Sequence, residues 1–180
     1  MTFAERLAAA IDSHGHLCVG IDPHAALLRD WGLPDSAAGV RELALRAVDA
    51  ATGRAGIVKP QVAFFERHGA DGFAVLAEVI AAARTAGLLV VADVKRGDID
   101  TSVDAYGEAW LDPGSSLRSD AMTAVPYLGV ASLDSVVARA VAADAAVLVL
   151  AATSNPEALP VQSAVRSDGR TVAAASVDEA

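Results

Sequence analysis

The fold class predicted for these 180 residues is α/β, a parallel (β/α)8 TIM barrel of which about the first five βα units are present, and three observations predict it. Apolar, β-branched runs free of turn residues recur along the chain, the pattern of strands buried on both faces. Segments with apolar residues at helical spacing lie between them. Polar residues stand at successive strand ends, Asp22 on the first, Lys59 on the second and Asp93, Lys95 and Asp98 on the third, and a parallel barrel carries its chemistry at that rim. The strand ends at Asp22, Gln61, Lys95, Val125 and Ala151 are 39, 34, 30 and 26 residues apart. At that period a whole barrel of eight units needs roughly 250 residues. Five units are therefore expected here, in one partial barrel domain over 1–180 with no second domain.

Taken in order, Phe3, Leu7, Ala10 and Ile11 recur at helical spacing and give a leading helix placed to close the bottom of the barrel. The first strand is Leu17 to Asp22, stopped by Pro23, with Cys18 inside it assigned to packing. Trp31 to Gly39, holding Gly32 and Pro34, is expected as loop, Val40 to Ala51 as helix, and Gly56 to Val62 as the second strand. The clearest helix runs from Gly72 to Ala86, with Phe73, Leu76, Val79, Ile80 and Ala83 on one face and Gly87 as its terminator. Leu88 opens the third strand. Gly97 is expected to let the backbone turn sharply before a helix from Ile99 to Trp110 that aligns Val103, Tyr106 and Trp110. After a loop at 112–116 come a fourth strand, Ala121 to Val125, and a helix, Ser132 to Ala142, with Leu133, Val136, Val137, Ala140 and Val141 aligned. A fifth strand follows at Ala145 to Ala151, and a last helical segment begins near Thr171.

Composition narrows the functional classes. A net charge of −9 and a pI near 4.7 argue against nucleic acid or an anionic membrane as partner, because both would be approached against repulsion. A phosphate-bearing small molecule stays open if the local field is positive. The most apolar region, Val136 to Ala152, is interrupted by Arg139 and Asp144 and so is no membrane span, and the N-terminus, with Glu5, Arg6 and Asp12, carries no secretory pattern. One cysteine allows no intrachain disulfide, and a cytoplasmic setting follows. His14, His16, His24 and His68 form no i, i+4 pair and stand beside no cysteine, so they are assigned to loops and no metal site is expected.

The charges ending the third strand need a reason. Side chains alternate along a strand, so Asp93 and Lys95 share the side of Val91, toward the interior of a closed sheet, while Ala92 and Val94 face the helices. Burying an ion pair costs several kcal/mol per ion before attraction and hydrogen bonds offset it. A strand-end salt bridge at a solvated rim would account for a lone Asp-x-Lys. Here Lys59 and Asp22 arrive at the corresponding ends of neighbouring strands, and the cluster reads as a site.

Asp93-Val94-Lys95-Arg96-Gly97-Asp98-Ile99, with Val58-Lys59-Pro60-Gln61 upstream, resembles the orotidine 5′-phosphate decarboxylase family, and Phe64-Phe65-Glu66 is similar to its bacterial type 2 branch. The similarity runs from Leu17 through Asn155. It implies decarboxylation of a small-molecule nucleotide, orotidine 5′-phosphate, to UMP in pyrimidine biosynthesis, without metal or organic cofactor, by a homodimer. In that case Lys95 is the proton donor held by Lys59 and Asp93, Asp22 and Lys59 contact the ribose, and Asp98 with Thr101 reaches into the partner's site. Thr153-Ser154-Asn155 is similar to the family's loop that touches the pyrimidine, with Ser154 as the contact, and Thr123 and Pro126 are further candidates. The residues alone leave that triplet open as a helix N-cap or a turn before Pro156.

Relative to the family, about the last third is missing, with the closing strands and the arginine that grips the phosphate, so the 180 residues alone are expected to be inactive. Two alternatives stay in view. A Mg²⁺-dependent hexulose-phosphate synthase or ketogulonate-phosphate decarboxylase shares the Asp-x-Lys-x-x-Asp spacing, but Lys59 stands where such relatives carry an acidic metal ligand. The other is a partial barrel without activity that associates through its strand edges.

Overall fold

The computed structural model describes residues 1–180. Five strands, β1 (Cys18–Ile21), β2 (Ile57–Pro60), β3 (Leu89–Arg96), β4 (Ala121–Ala124) and β5 (Ala146–Val149), form one sheet in the order β1-β2-β3-β4-β5, every neighbouring pair parallel. Parallel neighbours need a crossover, and helices supply each one. Helix α1 (Phe3–His14) precedes the sheet, α2 (Ala25–Asp30) and α3 (Ala37–Ala51) join β1 to β2, and α4 (Ala63–Glu66) and α5 (Gly69–Thr85) join β2 to β3. Helix α6 (Asp100–Leu111) leads to β4, and α7 (Asp134–Ala142) leads to β5 through a 3₁₀ turn at Val130–Leu133. Beyond β5 lie a 3₁₀ turn at Pro156–Ala158, α8 (Leu159–Gln162) and α9 (Val172–Glu179). A parallel sheet whose strands neighbour one another in chain order, each followed by helix, is the βα succession of a barrel. No helix is long and apolar enough to cross a membrane.

The two faces of β3 show why the sequence folds this way. Val90, Ala92 and Val94 join the main core against the helices, with Leu76, Val79 and Ile80 of α5 and Val103 and Trp110 of α6. Leu89 and Val91 point the other way, where with Ile57 and Ala121 they form a separate inner cluster covered by Phe3, Leu7 and Ala10 of α1. The leading helix therefore closes the N-terminal end of the strands, as its apolar stripe predicts. Thr2 and Glu5 start it with a capping box, each side chain bonding the other's backbone N–H. Arg6 then latches it to the sheet: its guanidinium pairs with the Asp120 carboxylate and donates to the Asp144 carbonyl at 2.7 Å. The second Asp120 oxygen accepts from the Val90 N–H at 2.9 Å, so one buried carboxylate ties α1, β3 and β4 together.

Several expectations are corrected. Cys18 is exposed on β1, an edge strand with a neighbour on one side only, and does not pack in the core. The stretch expected as loop before Val40 already holds the first turn of α3 from Ala37, and α2 just before it went unread because its six residues are too few to show a period. His14 closes α1, and His24 caps α2, its Nδ1 accepting from the Leu27 N–H at 3.1 Å, so neither is a loop residue. Gly87, at φ 80°, follows α5 where a terminator was expected. On α7 only part of the aligned stripe is covered: Leu133, Val136 and Ala140 are buried, whereas Val137 and Val141 stay 42% and 73% exposed beside the edge strand β5.

Asp120→Ala strands both the Arg6 guanidinium and the Val90 N–H, and should lower stability by about 1–3 kcal/mol in urea unfolding, whereas Asp120→Asn, which keeps an acceptor, should lose less.

Candidate active site

Register places the polar side chains. Ile57 pairs with Leu89, Cys18 with Ile57 and Val91 with Ala121, so Gly20 and Lys59 are level with Val91 and Ala121, the upper members of the inner apolar cluster. The next inward layer is Asp22, Gln61, Asp93 and Thr123, and a bridge between Gln61 and Asp93 confirms its level. Lys59 starts one layer below Asp93, and its four-carbon stem spans the difference. The second layer lies toward the C-terminal ends of the strands, where the loops of a parallel barrel converge.

At the centre sits the Asp93 carboxylate. Its Oδ2 accepts from Lys59 Nζ at 3.0 Å, and its Oδ1 accepts from Lys95 Nζ at 2.5 Å and from the Thr123 hydroxyl at 3.0 Å. The Asp93 side chain is 8% exposed, Lys59 33% and Lys95 45%, so the carboxylate is the buried anchor and Lys95 is the most solvent-accessible of the three. Burial works to raise the Asp93 pKa, but hydrogen bonds from Lys95 and Lys59, the Lys59 charge and the Thr123 hydroxyl outweigh it and hold the carboxyl below its ordinary value of 3.8. Asp93 is thus an anion at neutral pH.

Lys95 sits on a bulge. The ladder pairs Ala92 with Met122 and next Arg96 with Ala124, so β3 carries two extra residues there. Lys95 itself is left-handed, with φ 47°, a conformation that costs a non-glycine residue about 1–3 kcal/mol unless its surroundings impose it. The sharp turn expected at Gly97 therefore begins at Lys95. Gly97 is needed for another reason: a Cβ there would come within 2.3 Å of the Val125 carbonyl oxygen.

The remaining predicted residues lie around this centre at varying remove. Asp22 is half-buried at the end of β1, and its Oδ1 has no hydrogen-bond partner. Asp98 makes no ion pair; its carboxylate accepts from the Ile99 N–H at 2.9 Å, and Thr101 is exposed in the first turn of α6. Neither meets Lys59 or Lys95 within the chain. Ser154 is exposed after β5, while its neighbours are engaged locally: the Thr153 N–H donates to Gln162 Oε1 at 3.0 Å and the Asn155 amide to Glu157 at 3.1 Å. Asn155 stands just before the 3₁₀ turn without capping it by its side chain. Thr123, proposed as a substrate contact, is buried, with its hydroxyl between Asp93 and the Lys95 N–H, which donates to it at 2.9 Å. Gln61, a strand end and the last residue of the Val58–Gln61 motif, is given no role by the sequence, and register puts it in the layer of Asp93.

A sequence model of the Orotidine 5′-phosphate decarboxylase / HUMPS family matches residues 15–180. The chain belongs to this family. The orotidine 5′-phosphate decarboxylase of Corynebacterium glutamicum (strain R) is 50% identical over 180 residues, which are 100% of this chain and 65% of that protein. A crystal structure from Streptomyces avermitilis is 52% identical with a TM-score of 0.96, covering 98% of this chain and 62% of that one. Leishmania donovani OMP decarboxylase is 36% identical with a TM-score of 0.81, covering 97% and 63%. The chain thus spans somewhat under two thirds of the length of these relatives.

Within the family the donor set at Asp93 does not suit a divalent cation. Such an ion would have to share one carboxylate with ammonium groups at 3.0 and 2.5 Å, and Lys59 offers repulsion where a ligand is needed.

Because the Asp93 pKa is lowered on folding, its share of stability is present above 3.8 and is lost as pH falls through the lower folded value. Asp93→Asn should be less stable than the parent at pH 7, by urea unfolding, and should flatten the acid limb of the stability curve below pH 3.8. An acid limb as steep as the parent's would place the titrating group elsewhere.

Proposed function

We infer that this chain carries the reacting half of an orotidine 5′-phosphate decarboxylase, a carboxy-lyase that releases CO₂ from orotidine 5′-phosphate and leaves UMP, with Lys95 as proton donor and no metal or organic cofactor in the step. One observation carries the reading: the solvent-accessible Lys95 ammonium rests on a buried, charged Asp93 shared with Lys59.

The chemistry explains why an ammonium is wanted there. Loss of CO₂ leaves a carbanion at pyrimidine C6 with no adjacent electron sink, and a positive charge fixed at that carbon stabilises it as it forms. The same nitrogen can then deliver the proton that replaces CO₂. Asp93 beside the departing carboxylate would also repel the ground state, but two like charges at 4 Å interact by only about 4 kcal/mol at an effective dielectric of 20. Enzymes lower barriers by roughly 8–23 kcal/mol, so repulsion is a minor contributor. Preorganised charge at C6, supported by remote binding of ribose and phosphate, supplies most of the effect. Asp22 and Lys59 suit the ribose hydroxyls, and Ser154 the pyrimidine edge. Asp98 and Thr101, which meet no lysine of their own chain, suit the site of a second subunit in a homodimer. The alternative Mg²⁺-dependent chemistry of the family is disfavoured by the same two lysines.

Fusing this chain to the C-terminal remainder of the Corynebacterium relative gives a full-length test enzyme. Decarboxylation by the fusion is expected, followed as loss of orotidine 5′-phosphate, and failure of a folded fusion to turn it over would overturn the reading. The 180 residues alone should show no turnover, because by resemblance the phosphate grip lies in the part of the relatives they do not span.

In the fusion, Lys95→Ala should remove nearly all turnover while substrate binding weakens far less. Lys95→Arg should not restore it, since a guanidinium that stays protonated delivers no proton. For the dimer, Lys95→Ala and Asp98→Ala homodimers should each be impaired, and mixing them one to one with subunit exchange should recover roughly a quarter of the parent rate, since half the dimers are mixed with one good site in two. A mixture no better than either variant would place Asp98 in its own subunit's site.

A further inference from the structure

Residues 93–95 of β3 stand opposite the single residue Thr123 of β4, because the ladder skips from the Ala92–Met122 pair to the Arg96–Ala124 pair. An N–H inside such a bulge loses its ladder carbonyl and must find another acceptor. For Lys95 that acceptor is the Thr123 hydroxyl at 2.9 Å, and the same hydroxyl donates its own hydrogen to Asp93 Oδ1 at 3.0 Å. Oδ1 is also the oxygen that receives the Lys95 ammonium. One buried hydroxyl is therefore bonded both to the backbone of the lysine and to the carboxylate that holds the end of its side chain.

We propose that Thr123 is a positioning residue, whose hydroxyl fixes where the Lys95 ammonium stands by pinning the left-handed Lys95 backbone and orienting Asp93. Its one hydrogen is engaged by Asp93, so it has none to donate to a substrate. The inference rests on reading Lys95 and Asp93 as the reacting pair, but the arrangement it asserts can be measured without any reaction.

The test is NMR on the 180-residue chain with Thr123→Val, which keeps the shape and removes the hydroxyl, and Thr123→Ser, which keeps the hydroxyl and removes the methyl. In Thr123→Val the titration midpoint of the Asp93 carboxyl should move up, because a donor to its charged form is gone, and the Lys95 amide should exchange roughly two- to twelvefold faster. Thr123→Ser should match the parent on both counts. A Thr123→Val variant unchanged in both readouts, or a Thr123→Ser variant altered as much, would make Thr123 a packing residue and overturn the proposal. If Thr123→Val does not fold, Thr123→Cys replaces it, a weak donor of similar size, and an Asp93 midpoint no higher than in Thr123→Ser overturns the proposal equally. In the full-length fusion Thr123→Val should lower kcat with KM nearly unchanged. An inactive parent fusion would count against the decarboxylase reading alone, since the two NMR readouts do not depend on turnover.

Discussion

Two ammonium groups bonded to opposite oxygens of one buried carboxylate make the charge on Asp93 the constraint to which the C-terminal end of the sheet is fitted. A neutral Asp93 would leave the Lys59 and Lys95 ammonium groups as neighbouring like charges with no counter-ion between them. The protein meets that constraint with donors. Three reach the carboxylate, and their combined effect exceeds the burial that would otherwise push the proton back on. Register supplies the geometry, because parallel neighbours bring Lys59, Asp93 and Thr123 to one end of the sheet on three consecutive strands. The latch of Arg6 and Asp120 at the opposite end keeps α1 against the apolar floor under this layer.

Much of this was legible in the residues. The alternation of Leu89 to Lys95 gave the correct face to each side chain, since a strand buried on both sides has only one way to send a charge inward. The leading helix announced its role through Phe3, Leu7 and Ala10, and the strands fall inside the runs expected for them, save that β3 goes one residue beyond Lys95. The match of family then adds what alternation cannot, that residues 15–180 belong with the Orotidine 5′-phosphate decarboxylase / HUMPS family.

The rest escaped for physical reasons. A bulge has no sequence period, so the left-handed Lys95 and its dependence on Thr123 could not be foreseen, and the glycine two residues on drew the turn to itself. Cys18 and Val141 look like core residues because they are apolar in periodic runs. Their exposure depends on which strands are edges, and periodicity is silent on that point. Asp98 makes no ion pair and bonds only the neighbouring Ile99 N–H, and Thr101 is exposed, so contacts within the chain give neither of them a role.

Lys59 decides which branch of the family's chemistry the scaffold suits. A carboxylate in its place would leave Asp93 and a second anion converging on one point, an arrangement that asks for a divalent cation. With lysine there the same point is crowded with ammonium groups, and a cation is repelled while an anionic centre is welcomed. The whole chain carries a net charge of −9, so an anionic ligand meets general repulsion and a local exception to it. That exception is short-ranged: at physiological ionic strength the Debye length is about 8 Å, so Lys95 acts on an anion already beside it and contributes little to drawing one in. On the decarboxylase reading proposed above, capture falls to groups that bind the remote parts of the ligand, and the charge at Lys95 is left to favour the transition state over the ground state.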